Sequence, residues 1–288
     1  MGADDNQSRG PLALICCGGS LPFAVADAVA TSGRQVVLFA VDGIVDAARV
    51  ANYAHRWVKL GQGGHLMSMM REAGCHDVVF IGSLTRPPLS KIRLDLSMLM
   101  MLPTIISSFR GGDNHLLKNL GSILEKNGFR LVGAHDVAPQ ITVPNGNLTK
   151  LAPSPVELAD IKRGLGVLTA MGPFDVGQAV VVTNGHVIAI EGIEGTDEIL
   201  SRVADLRRRG RLHAPAGRGV LVKAPKPEQD RRFDLPAIGP KTVEGVAAAG
   251  LAGIAVAAGE TIMAEPAATV TAADRAGIFV TGIEALAR

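Results

Sequence analysis

Lys223, Lys226, Asp230, Arg231, Arg232 and Asp234 fall within twelve residues of one another, in a chain whose charged fraction is only 19%. The stretch that holds them, 220–242, reads VLVKAPKPEQDRRFDLPAIGPKT. It opens as an apolar strand, and Pro225 and Pro227 then force it out of a sheet, because proline has no N–H to give to the ladder. Fixed cations beside two carboxylates on a strand-anchored loop suit a phosphate group together with a divalent cation. The plainer reading is a polar surface loop stiffened by proline. No HExxH or GxSxG occurs, and the seven histidines lack zinc-site spacings. Any metal would therefore be held by oxygen, with Asp230 and Asp234 as candidate ligands of Mg²⁺ or Mn²⁺, and the chemistry would be phosphoryl transfer.

Other anion-binding candidates sit where strands turn into helices. Residues 12–17 predict a buried strand, Gly18, Gly19, Ser20, Leu21 and Pro22 a turn into a helix ending near Gly33, and 35–41 a second strand. This is the start of a parallel, right-handed unit. Ser20 is a natural N-cap, and a helix N-terminus behind glycines offers free N–H groups to an anion. A tight turn that simply needs glycine explains the same residues equally well. Residues 77–82 predict a further strand, so that Gly82 and Arg86 also fall beyond a carboxyl end, where open parallel sheets bind ligands. Thr196 is expected to N-cap a helix reaching Arg209, with a second possible anion site there. Neither GxGxxG nor GxxxxGK[ST] is present, which argues against a dinucleotide enzyme and a P-loop.

The elements between them complete an α/β pattern. A short strand is expected at 57–60, helices at 64–73, through 91–127 and at 156–170, and a strand at 130–134. Four prolines and Asn145-Gly146 break the pattern over 138–155, which places a boundary there. Asn184-Gly185 between two apolar runs predicts a hairpin over 178–191. Short helices and strands alternate after Thr242. The expected organisation is a disordered leader at 1–11, a parallel α/β domain at 12–139, a linker at 140–155 and a mixed α/β domain at 156–288.

With 288 residues, 47% hydrophobic and 34 glycines, the chain can bury two ordinary cores. A net charge of +2 and few aromatics give neither the field nor the stacking platforms that nucleic acid needs. Cys16, Cys17 and Cys75 form no CxxC and read as reduced, structural thiols. The most apolar run, 96–106, is about half the length needed to cross a bilayer and contains Pro103. The methionines at 67, 69 and 70 and at 98, 100 and 101 suit either an irregular core or a groove for acyl chains.

Taken together, GGSLP at 18–22, GSLTRPP at 82–88, GGDNHLL at 111–117, GAHD at 133–136, DVGQAVVV at 175–182, EGTDE at 194–198 and KAPKPEQDRRFDLPAIGP at 223–240 resemble the LpxI-type UDP-2,3-diacylglucosamine pyrophosphatases of lipid A biosynthesis. The resemblance runs from about residue 12 to the C-terminus. It implies a Rossmann-like N-terminal domain, a distinct C-terminal catalytic domain and a substrate lying between them. It further implies Mg²⁺-assisted attack of water on the sugar-side phosphorus, giving UMP and 2,3-diacylglucosamine 1-phosphate (lipid X). The family's critical aspartate maps onto Asp230, after the run that contains Lys226 and Gln229. Gly19, Ser20, Gly82, Arg86, Thr196, Lys223, Lys226, Gln229 and Arg231 become candidate substrate contacts. A homodimer, peripheral at the cytoplasmic face of the inner membrane, is also implied. A noncatalytic nucleotide-sugar or lipid sensor is the rival reading.

Overall fold

The computed structural model describes residues 10–82, 113–212, 214–226, 229–233 and 235–284. The chain divides into two compact units, Met1–Pro139 with Asp230–Asp234, and Gln140–Gln229 with Leu235–Arg288. Arg86, Asp234, the helix expected before residue 113 and the methionines at 98–101 lie outside the described residues.

In the first unit the order is β1 (Leu12–Cys16), α1 (Leu21–Thr31), β2 (Val36–Val41), α2 (Ala47–Val50), β3 (His55–Val58), α3 (Gly63–Glu72), β4 (Asp77–Ile81), α4 (Asp113–Lys126), β5 (Arg130–Leu131) and α5 (Ala134–Val137). The strands form one sheet in the order β3-β2-β1-β4-β5, parallel throughout. Such a sheet buries both faces, which is why β1 is apolar at every position and fully buried. Met67, Met69 and Met70 of α3 pack with Ala13, Ile15, Phe39 and Leu124 in one core, so these three methionines are core residues and line no acyl groove. The third strand lies two residues earlier than the sequence suggested. The last is shorter, because the chain turns into α5 at Ala134.

The amino edge of this sheet carries a buried charge cluster. Asp77 opens β4 and accepts hydrogen bonds from Arg34 Nη2 (2.8 Å) and from Arg130 Nε and Nη2 (both 2.7 Å). Burial alone would push the Asp77 carboxyl up, but the two guanidinium groups overcome it and hold the group below its ordinary value. Burial also pushes the thiols of Cys16, Cys17 and Cys75 up, to about 12, 11 and 11, so they stay protonated, and all three are free.

The second unit contains β6 (Gly146–Asn147), α6 (Pro155–Met171), β7 (Ala179–Thr183), β8 (His186–Ile190), α7 (Thr196–Arg208), β9 (Val220–Lys223), β10 (Ala237–Ile238), α8 (Pro240–Ala248), β11 (Gly253–Ala257), β12 (Ile262–Met263), α9 (Pro266–Ala276) and β13 (Phe279–Ile283). Its main sheet has the order β6-β13-β11-β9-β7-β8, with β13, β11 and β9 mutually parallel and the outer pairs antiparallel. Alternation along the strands sorts side chains onto two faces. Val180, Val182, Val220, Val222, Ala255 and Phe279 meet Ile161, Leu165 and Leu168 of α6. Val181, Leu221, Ile254, Val256 and Val280 meet α7, α8 and α9 on the other.

Residues 140–155 are part of this unit instead of a linker. Val143 is fully buried in its core, Thr142 bridges to Ile262, and β6 pairs with β13. The hairpin expected at Asn184-Gly185 is present, and the buried carboxylate of Asp160 accepts from both turn N–H groups at 2.9 and 2.6 Å.

Asp77→Asn should cost about 3 kcal/mol, because it leaves the Arg34 guanidinium, 4% exposed, without its counter-charge. The folded carboxyl titrates below its unfolded value of about 4, so its contribution is complete above that pH and is lost as pH falls further. Urea melts should therefore show an acid loss of stability below about pH 4 that is shallower in the variant.

Candidate active site

The first unit brings two glycine turns together at the carboxyl edge of its sheet. β1 and β4 are neighbours, yet the chain leaves them towards opposite sides of the sheet order, which makes this edge a topological switch point. Gly82, at φ +107°, lies so close to the turn after β1 that a Cβ there would sit 2.7 Å from the Gly18 carbonyl oxygen. Only glycine fits. Gly19 is likewise at positive φ. Ser20 is the N-cap residue of α1, but its side chain makes no cap hydrogen bond.

The same unit includes the acidic part of the charged loop. Phe233 packs against Phe80 of β4, two residues before Gly82, with ring centroids 5.4 Å apart and the planes tilted by 43°. A Cβ on Gly121 of α4 would lie 3.0 Å from the Phe233 ring, so glycine at 121 makes the seat for it. Arg232 Nη1 donates to Glu125 of α4 at 2.7 Å. From this anchored position Arg232 grips Asp230 by three bonds: Nε to Oδ1 (3.0 Å), Nη2 to Oδ2 (2.7 Å) and the backbone N–H to Oδ1 (3.1 Å). The Asp230 side chain is 14% exposed. Hydrogen bonding to Asp230 pushes the Arg232 guanidinium further above its already high value. Arg231 is half-buried beside the pair.

A bidentate guanidinium–carboxylate pair is rigid and directional. The sequence reading has Arg232 only as one of the loop's cations, and it does not reach Glu125. The Asp-x-Arg spacing was visible, but Glu125 is remote in sequence and could be joined to it only by the fold.

The basic end of the loop belongs to the second unit. Lys223 ends β9 and is 6% exposed; its Nζ donates to Thr196 Oγ1 (2.9 Å) and to the Ala237 carbonyl (3.0 Å). Thr196 is the first residue of α7, and Gly195 is the N-cap, one residue before the expected position. The first turn of α7 already carries Asp197 and Glu198. Lys226 Nζ forms an ion pair with Asp175 Oδ1 at 2.6 Å. Its backbone N–H donates to Gln229 Oε1 (3.1 Å), the Gln229 N–H donates to the Lys226 carbonyl (3.2 Å), and Gln229 is buried.

Among the described residues no three carboxylate, histidine or cysteine side chains converge as a metal site. Both oxygens of Asp230 already accept from Arg232, so the described residues do not form a ready cation cage. Nor, among them, is any helix long and apolar enough to cross a membrane.

These features define a two-domain α/β protein with a Rossmann-like N-terminal sheet and a mixed C-terminal sheet. Its sequence matches the LpxI N-terminal domain over residues 11–141 and the LpxI C-terminal domain over 144–281. It is also 40% identical, over 95% of its own length and 97% of the other's, to the UDP-2,3-diacylglucosamine pyrophosphatase LpxI of Caulobacter vibrioides. The chain belongs to the LpxI family.

Phe233→Ala should release the segment around Asp230 from β4 and α4. We expect trypsin to cut faster after Arg231 and Arg232, with global stability lowered by about 1–2 kcal/mol for the half-buried ring. Unchanged cleavage there would show that Phe233 is not the anchor.

Proposed function

We propose that this protein hydrolyses the pyrophosphate of UDP-2,3-diacylglucosamine, yielding UMP and 2,3-diacylglucosamine 1-phosphate in lipid A biosynthesis. The observation that carries the reading is the gripped Asp230: a carboxylate fixed by Arg232 and Glu125, on a loop whose other end bears Lys223 and Lys226, in a chain 40% identical to a protein of that activity. Asp230 orients the attacking water, and a carboxylate held by three hydrogen bonds needs little reorganisation to do so. Attack on the sugar-side phosphorus leaves the new oxygen on the sugar phosphate, with UMP departing. Lys223, Lys226, Arg231 and Thr196, with the backbone around Gly19, Ser20 and Gly82 and the side chains of Gln229 and Arg86, are proposed to hold the nucleotide and phosphate groups.

The proposal includes a requirement for Mg²⁺ or Mn²⁺, with Asp234 as the second acidic candidate. A substrate with two acyl chains lies at a bilayer, which supports a peripheral protein at the cytoplasmic face of the inner membrane. A homodimer is part of the same proposal. A noncatalytic sensor is not favoured, since a sensor needs no carboxylate beside an anionic ligand.

The test is to incubate the protein with UDP-2,3-diacylglucosamine and Mg²⁺ and follow UMP by mass spectrometry. Asp230→Ala should lower kcat by about 100-fold or more while substrate still binds, as for a group whose contribution is made in the transition state. Turnover near wild type in this variant would remove Asp230 from the chemistry. Stripping divalent ions with excess chelator should abolish UMP release, and adding Mg²⁺ or Mn²⁺ should restore it. Full activity in chelator would end the metal proposal.

A further inference from the structure

Glu191 lies directly after β8, is 9% exposed, and has a hydrogen bond on each carboxylate oxygen. Oε2 accepts from the Gln178 backbone N–H at 2.7 Å, and Oε1 accepts from the Thr196 hydroxyl at 2.7 Å. That hydroxyl has a single proton. An ionised carboxylate can only accept and an ammonium can only donate, so the proton of Thr196 points to Glu191 and its oxygen accepts from Lys223 Nζ, 2.9 Å away. The three groups form a polarised chain running from the end of β8 through the first residue of α7 to the end of β9. The Glu191 side chain is also packed in place, since a Cβ on Gly177 would fall 2.6 Å from its Cγ. Through that hydroxyl the Glu191 carboxylate bears on the orientation of the Lys223 ammonium.

We propose that Glu191 is a positioning residue that fixes the direction of the Thr196 hydroxyl and, through it, the Lys223 ammonium where the substrate's anionic groups are held. The inference rests on the reading that Thr196 and Lys223 meet the substrate. A carboxylate that merely closed the end of the hairpin would be satisfied by Gln178 and would have no functional tie to Thr196.

Glu191→Gln keeps the size, removes the charge and places an amide donor against either the Gln178 N–H or the Thr196 hydroxyl. KM for UDP-2,3-diacylglucosamine should rise about tenfold while kcat changes less than about twofold, the opposite split from Asp230→Ala. Thr196→Val should show the same rise and Thr196→Ser should not. The double variant Glu191→Gln/Thr196→Val should be no worse than either single variant, because the hydroxyl through which Glu191 acts is already gone. An unchanged KM in Glu191→Gln, or effects that multiply in the double variant, would overturn the proposal. If Glu191→Gln fails to fold, Thr196→Val still reads the chain, and a wild-type KM there overturns it. Direct titration of each folded variant with UDP-2,3-diacylglucosamine separates the two levels of argument. Binding without UMP release by the wild type refutes the hydrolase reading while the affinities still test Glu191, and absence of binding refutes both.

Discussion

A charge moved out of water must be matched before it can act on anything else, and this molecule matches its buried charges in two different ways. At the amino edge of the first sheet, Asp77 lies between Arg34 and Arg130 with all its bonds inside the protein. In the second, Asp230 keeps 14% exposure beside Arg232, and Lys223 at the end of β9 donates to the Thr196 hydroxyl and the Ala237 carbonyl. The first arrangement stabilises. The second leaves the Asp230 carboxylate oriented and partly open to water, which suits a pyrophosphate hydrolase.

Strand direction explains why these groups collect as they do. In the first sheet β1 and β4 run parallel, and in the second β9, β11 and β13 run parallel to one another, so within each set the chain leaves at the same edge. Backbone beyond a parallel strand is released from the ladder and is free to form turns, helix starts and loops. Gly18, Gly19 and Gly82 occupy that place in one unit, and Lys223 with its following loop in the other. The acidic segment from Asp230 then groups with the first unit although the sequence on both sides of it belongs to the second.

Much of this was legible in the residues. Apolar runs bounded by glycine predicted the parallel strands, Asn184-Gly185 the hairpin, and the proline-flanked charge run the loop. Partnership was not legible. Nothing in the spacing of Lys226 showed that its ammonium would pair with Asp175, 51 positions away, or that Glu125 would brace Arg232. The linker reading of 140–155 failed because prolines and Asn-Gly mark irregular backbone, which a domain can still bury, as Val143 shows. Thr196 was displaced from the cap because Gly195, at φ +84°, makes the turn into the helix. The side chain of Thr196 is thereby freed to join Glu191 to Lys223.

In the proposed reaction, water oriented at Asp230 attacks the sugar-side phosphorus of UDP-2,3-diacylglucosamine. A single turnover in ¹⁸O-labelled water, with both products weighed by mass spectrometry, tests it most directly. One labelled oxygen is expected in 2,3-diacylglucosamine 1-phosphate and none in UMP. Label in UMP would contradict the direction of attack, and the absence of both products would contradict the hydrolase itself.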